Sequence, residues 1–314
     1  MSSRAFDIAT ILFALKRLES NLDIKEWQAS EHDQAKIFNW LKQHGGILDS
    51  ITGLTALASA DFQELNRFLT DRGFSPVFKP FHTARDLGVV AIIDKMIKWL
   101  NGPAKKTVIH ARDGKLELPG FELPGEGVNI YQVDGDGYRD SYLLELLTKS
   151  RDTLWLFVHP NLKISQLGLV DLSIDVMSKP RQIASVAGRE IPGFGALTKP
   201  AFSGAEVPMV DFDVNPSLDF LLGAMATTKK NDPYQVKQAC QQFKMRMDRH
   251  GARVKAATSM GMMLTCCIDA TPPPFIVDRP FYGWWMQDGI KLPMAAFFVD
   301  YDSMKRPDGN LTDL

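Results

Sequence analysis

The residues that could do side-chain chemistry in this chain are scattered. Six histidines, His32, His44, His82, His110, His159 and His250, stand apart, none three or four positions from another His or a Cys. That is the spacing metal ligands on one helix face or loop use. Of the three cysteines, Cys240 is alone and Cys266 and Cys267 are adjacent, which makes neither a zinc site nor a disulfide framework. Asp134-Gly135-Asp136-Gly137 has the start of a calcium loop but lacks the later ligands and the terminal Glu, so it reads as a hairpin turn. No Gly-rich phosphate loop and no nucleophile elbow occurs. These patterns predict no catalytic residue, no metal and no cofactor, and hence a protein that is not an enzyme.

What stands out instead is a stretch of backbone. Arg249 to Phe281 begins after a polar strand, passes through small residues, meets Pro272-Pro273-Pro274, and ends in an apolar strand. A loop of this length inside a compact chain is functional or disordered. Here it predicts function by presentation of the main chain.

Composition narrows the partners. The chain has 314 residues, 45% of them hydrophobic and 23% charged, with a formal net charge of -1. That is enough chain for one large core or two modest ones. No global field attracts nucleic acid or anionic lipid, and no apolar run reaches the roughly 18 residues of a membrane span. We therefore expect a protein partner, no nucleic acid and no membrane. Phe6 to Leu15 is apolar but interrupted by Asp7 and followed by Lys16-Arg17, which fits an amphipathic helix better than a signal peptide. That reading predicts a cytoplasmic or intracellular protein, with secretion by a non-classical route left open. The oligomeric state is left open too.

The elements that must hold the loop divide in two. Helices are predicted over about Ala5 to Leu18, Lys25 to Gln43 and Ala60 to Asp71. A fourth starts near Thr83, where Leu87, Val90, Ile93, Ile97 and Leu100 repeat at helical spacing. Ile47 to Thr52 and Pro76 to Phe81 read as strands. After Pro103, short strands alternate with Gly/Pro turns at 107–109, 128–131, 142–146, 153–158 and 207–213, and Asn215-Pro216-Ser217 opens a helix through Met225. Phe243-Lys244-Met245-Arg246-Met247-Asp248 alternates strictly, which predicts a half-buried strand. Phe275 to Met286 and Ala295 to Tyr301 read as buried strands. Helices first and strands later predict an α+β fold.

The assembled segments resemble the serpin family. Phe243 to Gly251 resembles its strand leading to a hinge glycine, Ala252 to Thr258 its small-residue hinge, and Phe275-Ile276-Val277-Asp278-Arg279-Pro280-Phe281 the strand after its reactive loop. Val207 to Phe212 with Leu218 to Leu222, and Leu143 to Leu146 with Asp152 to Pro160, are similar to further family segments. Ile92 to Trp99 resembles the helix lying across the main sheet. An Asn-x-x-x-Phe-Lys-Gly-x-Trp strand is not found between Lys106 and Tyr142. In the family that strand borders the slot that receives the loop.

The resemblance implies a single serpin-like domain over 1–314. Its first part, 1–105, would be mainly helical, and 106–314 would be sheet-rich, with N-terminal helices packed on large mixed or antiparallel sheets and an exposed reactive-centre-type loop at 251–274. It implies a hinge of Gly251, Ala252, Val254, Ala256 and Thr258, a scissile region of Met263, Leu264, Thr265 and Cys266, and Asp278 to Phe281 as structural anchors. After Gly251 the alternation suits insertion as a strand. Ala252, Val254, Ala256 and Thr258 share one face, while Arg253 and Lys255 fall on the other. Two functions remain open at this point. One is inhibition of a serine or cysteine protease through the reactive loop; the other is a non-inhibitory serpin-fold binding or structural protein that has lost loop insertion.

Overall fold

The computed structural model describes residues 2–75, 77–81, 83, 87–135, 137–138, 140–159, 165–185, 201–253, 272–309 and 311. The chain opens with β1 (Arg4–Asp7), α1 (Ile8–Leu22), β2 (Ile24–Gln28) and α2 (His32–His44). A 3-10 turn at Gly45–Ser50 leads to β3 (Leu54–Ser59), α3 (Phe62–Thr70), β4 (Gly88–Ile93) and β5 (Met96–Lys98). Then follow β6 (Lys105–His110), β7 (Glu117–Pro124), β8 (Val128–Val133), β9 (Tyr142–Leu147) and β10 (Thr153–Val158). After α4 (Gln166–Ser178) come β11 (Arg181–Ser185), β12 (Gly204–Pro208), β13 (Val210–Val214), β14 (Met225–Thr228) and β15 (Pro233–Gln235). The last strands are β16 (Phe243–Asp248), β17 (Gly251–Arg253), β18 (Phe275–Ile276), β19 (Phe281–Met286) and β20 (Ala295–Val299).

These elements form two compact units, each built from separate stretches of chain. One comprises Met1–Ala5, Lys95–Asp213 and Lys244–Leu314; the other comprises Phe6–Asp94 and Val214–Phe243.

In the first unit a seven-stranded sheet has the order β1-β20-β19-β10-β9-β8-β11. Its middle strand β10 pairs antiparallel with β9 and β19, aligning Leu156 with Leu144 and Gly283. Gly283 pairs in turn with Phe297 on β20. A Cβ at Gly283 would collide with the Phe297 ring, so the glycine makes the seat for that aromatic. α4 packs on β19 and β20, burying Leu169, Val170 and Val176. A four-stranded mixed sheet, β18-β12-β7-β6, contains one parallel pair, β12 with β18. A further four-stranded sheet has the order β13-β16-β17-β5.

In the second unit, α1 packs on β3 and β4. Asp7 caps α1 by accepting from the Thr10 N–H at 3.0 Å, which satisfies a backbone donor otherwise left open at a helix start. Leu65 and Leu69 of α3 pack with Val90 and Ile92 of β4, under Phe68, Phe74, Phe78 and Phe81.

Several sequence expectations change. Residues 88–98 form two strands rather than a helix, because Val89-Val90 and Ile92-Ile93 are β-branched pairs in an apolar run that satisfies both periods. The first part of the expected Lys25–Gln43 helix is β2, drawn into a sheet by pairing with β14. Ile47–Thr52 is largely the 3-10 turn, and residues 77–81 carry no strand. The helix expected through Met225 shrinks to a 3-10 turn at Asp219–Leu221 before β14. The first part of the chain is therefore more strand-rich than expected. α4 was not foreseen: its apolar residues lie too close together to show a period. The strands expected at 107–109, 128–131, 142–146, 153–158 and 243–248 are all present. Asp134 and Gly135 lie in the connection between antiparallel β8 and β9, as the turn reading expected; Asp136 lies outside the described residues.

Candidate functional site

The alternating sequence of β16 places Met245 and Met247 in the interior and directs Lys244 and Arg246 to the other face. On that face Lys244 Nζ lies 3.4 Å from Asp213 Oδ2, and Arg246 Nε lies 3.5 Å from Asp211 Oδ1 on β13.

At its end β16 turns back through Arg249-His250 into β17, with Asp248 paired to Gly251. The turn is held from several directions. The His250 N–H donates to Asp248 Oδ1 at 2.7 Å, and His250 Nδ1 lies 3.2 Å from Asp248 Oδ2. Trp99 Nε1 donates to the Asp248 carbonyl at 2.9 Å, and the Ala104 N–H donates to the Arg249 carbonyl at 2.6 Å.

β17 then runs between two strands. It pairs antiparallel with β16 on one edge, Met247 with Ala252 and Arg246 with Arg253. It pairs antiparallel with β5 on the other, Gly251 with Lys98, Ala252 with Ile97 and Arg253 with Met96. Directly opposed residues of antiparallel strands share a face, so Met247, Ala252 and Ile97 form one row. Their exposures are 0%, 1% and 1%. Gly251 is required by proximity. A Cβ there would collide with the Ile97 carbonyl oxygen and lie 3.2 Å from the Lys98 Cα; no larger residue fits beside β5 without moving backbone.

Of the predicted hinge residues, Gly251 and Ala252 are thus buried inside a sheet, so the exposed loop expected from 251 does not begin there: backbone pairing on both edges makes Gly251–Arg253 a strand. Val254, Ala256 and Thr258 lie outside the described residues, as do Met263, Leu264, Thr265 and Cys266 of the predicted scissile region.

The segment at Asp278–Phe281 is tied down. The Asp278 carbonyl accepts from the Arg112 N–H at 2.8 Å and from the Tyr301 hydroxyl at 3.3 Å, and Arg279 Nε donates to Asp278 Oδ1 at 2.8 Å. Burial pushes the Asp278 carboxyl up, with Arg112 opposing. Phe281 is buried at the head of β19.

The strand beside β17 on its second edge is one that the sequence did not reveal. No strand between Lys106 and Tyr142 lies there; β5, at Met96–Lys98, pairs with β17. Trp99, buried and donating to Asp248, was the available signal.

Among the described residues, no group of three or more His, Cys, Asp or Glu is arranged to hold a metal ion, and no helix is long and apolar enough to cross a membrane.

No family model and no curated protein sequence matches this chain. Solved structures do. Serpin48 of the insect Tenebrio molitor is 14% identical, with a TM-score of 0.56 over 95% of this chain and 92% of that one. Mouse protein Z-dependent protease inhibitor is 13% identical, with a TM-score of 0.56 over 95% and 91%. Human thyroxine-binding globulin is 11% identical, with a TM-score of 0.57 over 95% and 91%. The fold is the serpin fold, an α+β architecture. By their names these neighbours comprise a protease inhibitor and a hormone-binding protein as well as a serpin described as highly specific, so the fold admits more than one activity.

Proposed function

We propose that this chain inhibits a serine or cysteine protease through the loop at 251–274, with Gly251, Ala252, Val254, Ala256 and Thr258 as hinge and Met263, Leu264, Thr265 and Cys266 bracketing the bait. It acts on a protein partner and is not itself an enzyme. One observation carries the reading: β17 is an inner strand, paired on both edges, with Ala252 in the buried row. That the leading end of the segment already lies between two strands supports the reading that more of it enters after cleavage. Continued in the same register, Val254 would fall opposite buried Met245, while Lys255 would take the charged parity of Lys244 and Arg246. Alternate small residues are buried at little entropic cost, and the basic ones stay on the polar face, avoiding the several kcal/mol that burying an unpaired charge costs.

Incubation with a panel of serine and cysteine proteases tests this. The expected result is a covalent complex that survives boiling in detergent. Clean cleavage by every protease, with no complex, overturns it. The likeness to thyroxine-binding globulin favours a second reading, a non-inhibitory binding protein. It expects the melting temperature to stay unchanged when the loop is cut, where inhibition by insertion expects a large rise.

A further inference from the structure

β5 is the edge strand of the hinge sheet and only three residues long. A ladder of that length is too short to hold itself, so something else must fix β5 beside the hinge. The turn between β9 and β10 does this at both ends. At one end the Lys149 N–H donates to the Lys98 carbonyl at 3.0 Å, and the Leu100 N–H donates to the Leu147 carbonyl at 2.9 Å. At the other end the attachment is ionic. Lys95 Nζ, immediately before β5, lies 2.9 Å from both Asp152 oxygens and donates to Gln287 Oε1 at 2.8 Å. The side chains are 11% and 3% exposed. Asp152 also accepts from Ser150 Oγ at 2.9 Å, and its carbonyl accepts from Thr148 Oγ1.

An ammonium group has three donors and no acceptor. Here two carboxylate oxygens and one amide oxygen receive it. A buried pair satisfied in this way is strongly resistant to losing one partner, because the charge left behind is uncompensated.

We propose that Lys95–Asp152 is a latch: it pins the leading end of β5 to the β9–β10 turn, and so sets whether Gly251–Arg253 stays seated between β16 and β5. Lys95 and Asp152 are positioning residues, acting on the hinge through β5. The inference rests on reading Gly251–Arg253 as the hinge end of the loop.

Hydrogen exchange on the full chain tests it. In Asp152→Asn, exchange at the amides of Ile97, Lys98 and Ala252 is expected to rise on the order of tenfold or more, as a local opening does, while Leu154, Leu156 and Tyr282 keep wild-type protection. Should the buried Lys95 charge unfold that variant, the double variant Lys95→Met with Asp152→Leu removes both charges and is expected to fold with the same local loss. Unchanged exchange at β5 and β17 in a folded variant overturns the latch, and so does an equal rise through β10 and β19. The two readings fail separately. Loss of hinge protection with no protease complex from wild type keeps the latch and rejects inhibition; a stable complex with hinge protection unmoved by either variant does the reverse.

Discussion

The seven-stranded sheet and the hinge sheet belong to the same compact unit yet are built on opposite terms. In the first, five of the six residues of β10 are buried, and its ladders with β9 and β19 run for six and five pairs. Both faces are filled with Leu, Phe and Trp. In the second, the inner strand β17 makes three pairs on each edge, one face carries ion pairs, and its buried row is centred on an alanine. Long apolar ladders bury much side-chain surface, whereas a three-residue inner strand of Gly, Ala and Arg buries little. The contrast is between a core laid down in long apolar ladders and a short inner strand whose neighbour β5 is tied by side chains outside its own sheet.

The comparison breaks first if the core is not the rigid part. Phe157→Ala, deep in the seven-stranded sheet, is expected to cost about 3–5 kcal/mol, read as a lower urea midpoint. A loss below about 1 kcal/mol would mean that this sheet yields as readily as the hinge sheet.

The next largest effect concerns charge. The charges on the β16 face are paired, Lys244 with Asp213 and Arg246 with Asp211, but the Asp7 carboxyl is buried, and burial pushes it up from 3.8 to about 7 against the opposing Thr10 hydrogen bonds. Its folded state holds the proton more tightly than the unfolded chain does. The stabilisation this provides is therefore complete below pH 3.8 and falls as pH rises, until it is gone above about 7. Asp7→Asn keeps an oxygen for the cap without the titration. Its advantage over wild type should open across that window, to at most roughly 4 kcal/mol at about 1.4 kcal/mol per pH unit. Parallel stability curves for the two proteins would refute this and return the pH dependence to the surface pairs.

Gly251→Val sharpens the contrast from the other side. The added side chain meets the Ile97 backbone, so it should cost about 1–3 kcal/mol as overpacking does and strip exchange protection from β5, leaving β10 and β19 as they were. The smallest effect is expected for Lys244→Ala. Its pair with Asp213 is partly exposed and worth at most about 1 kcal/mol; a melting curve in high salt should erase the difference.

Part of the β16–β17 pair was legible from residue order. Strict alternation over Phe243–Asp248 marked β16 as half-buried, and Gly251-Ala252 announced small residues where a strand would need them. The strands of the seven-stranded sheet were legible for the same reason. The border strand was not. Residues 88–98 are apolar enough to fit a helical repeat, and only pairing of β4 with β3 and of β5 with β17 makes them strands. Lys95 and Asp152 each lie in a segment that resembles the family, but neither segment points to the other, since their meeting depends on a turn far along the chain.

Side-chain character, which is local, determined that a small-residue segment follows a half-buried strand, that its basic residues fall on one parity, and that the chain mixes helices with many short strands. Tertiary structure alone chose the neighbours: β5 beside β17, Gly251 against Ile97, Lys95 against Asp152. The reason is that strands pair through backbone groups every residue shares, so a sequence can encode which face of a strand is buried without naming the strand that will lie alongside it.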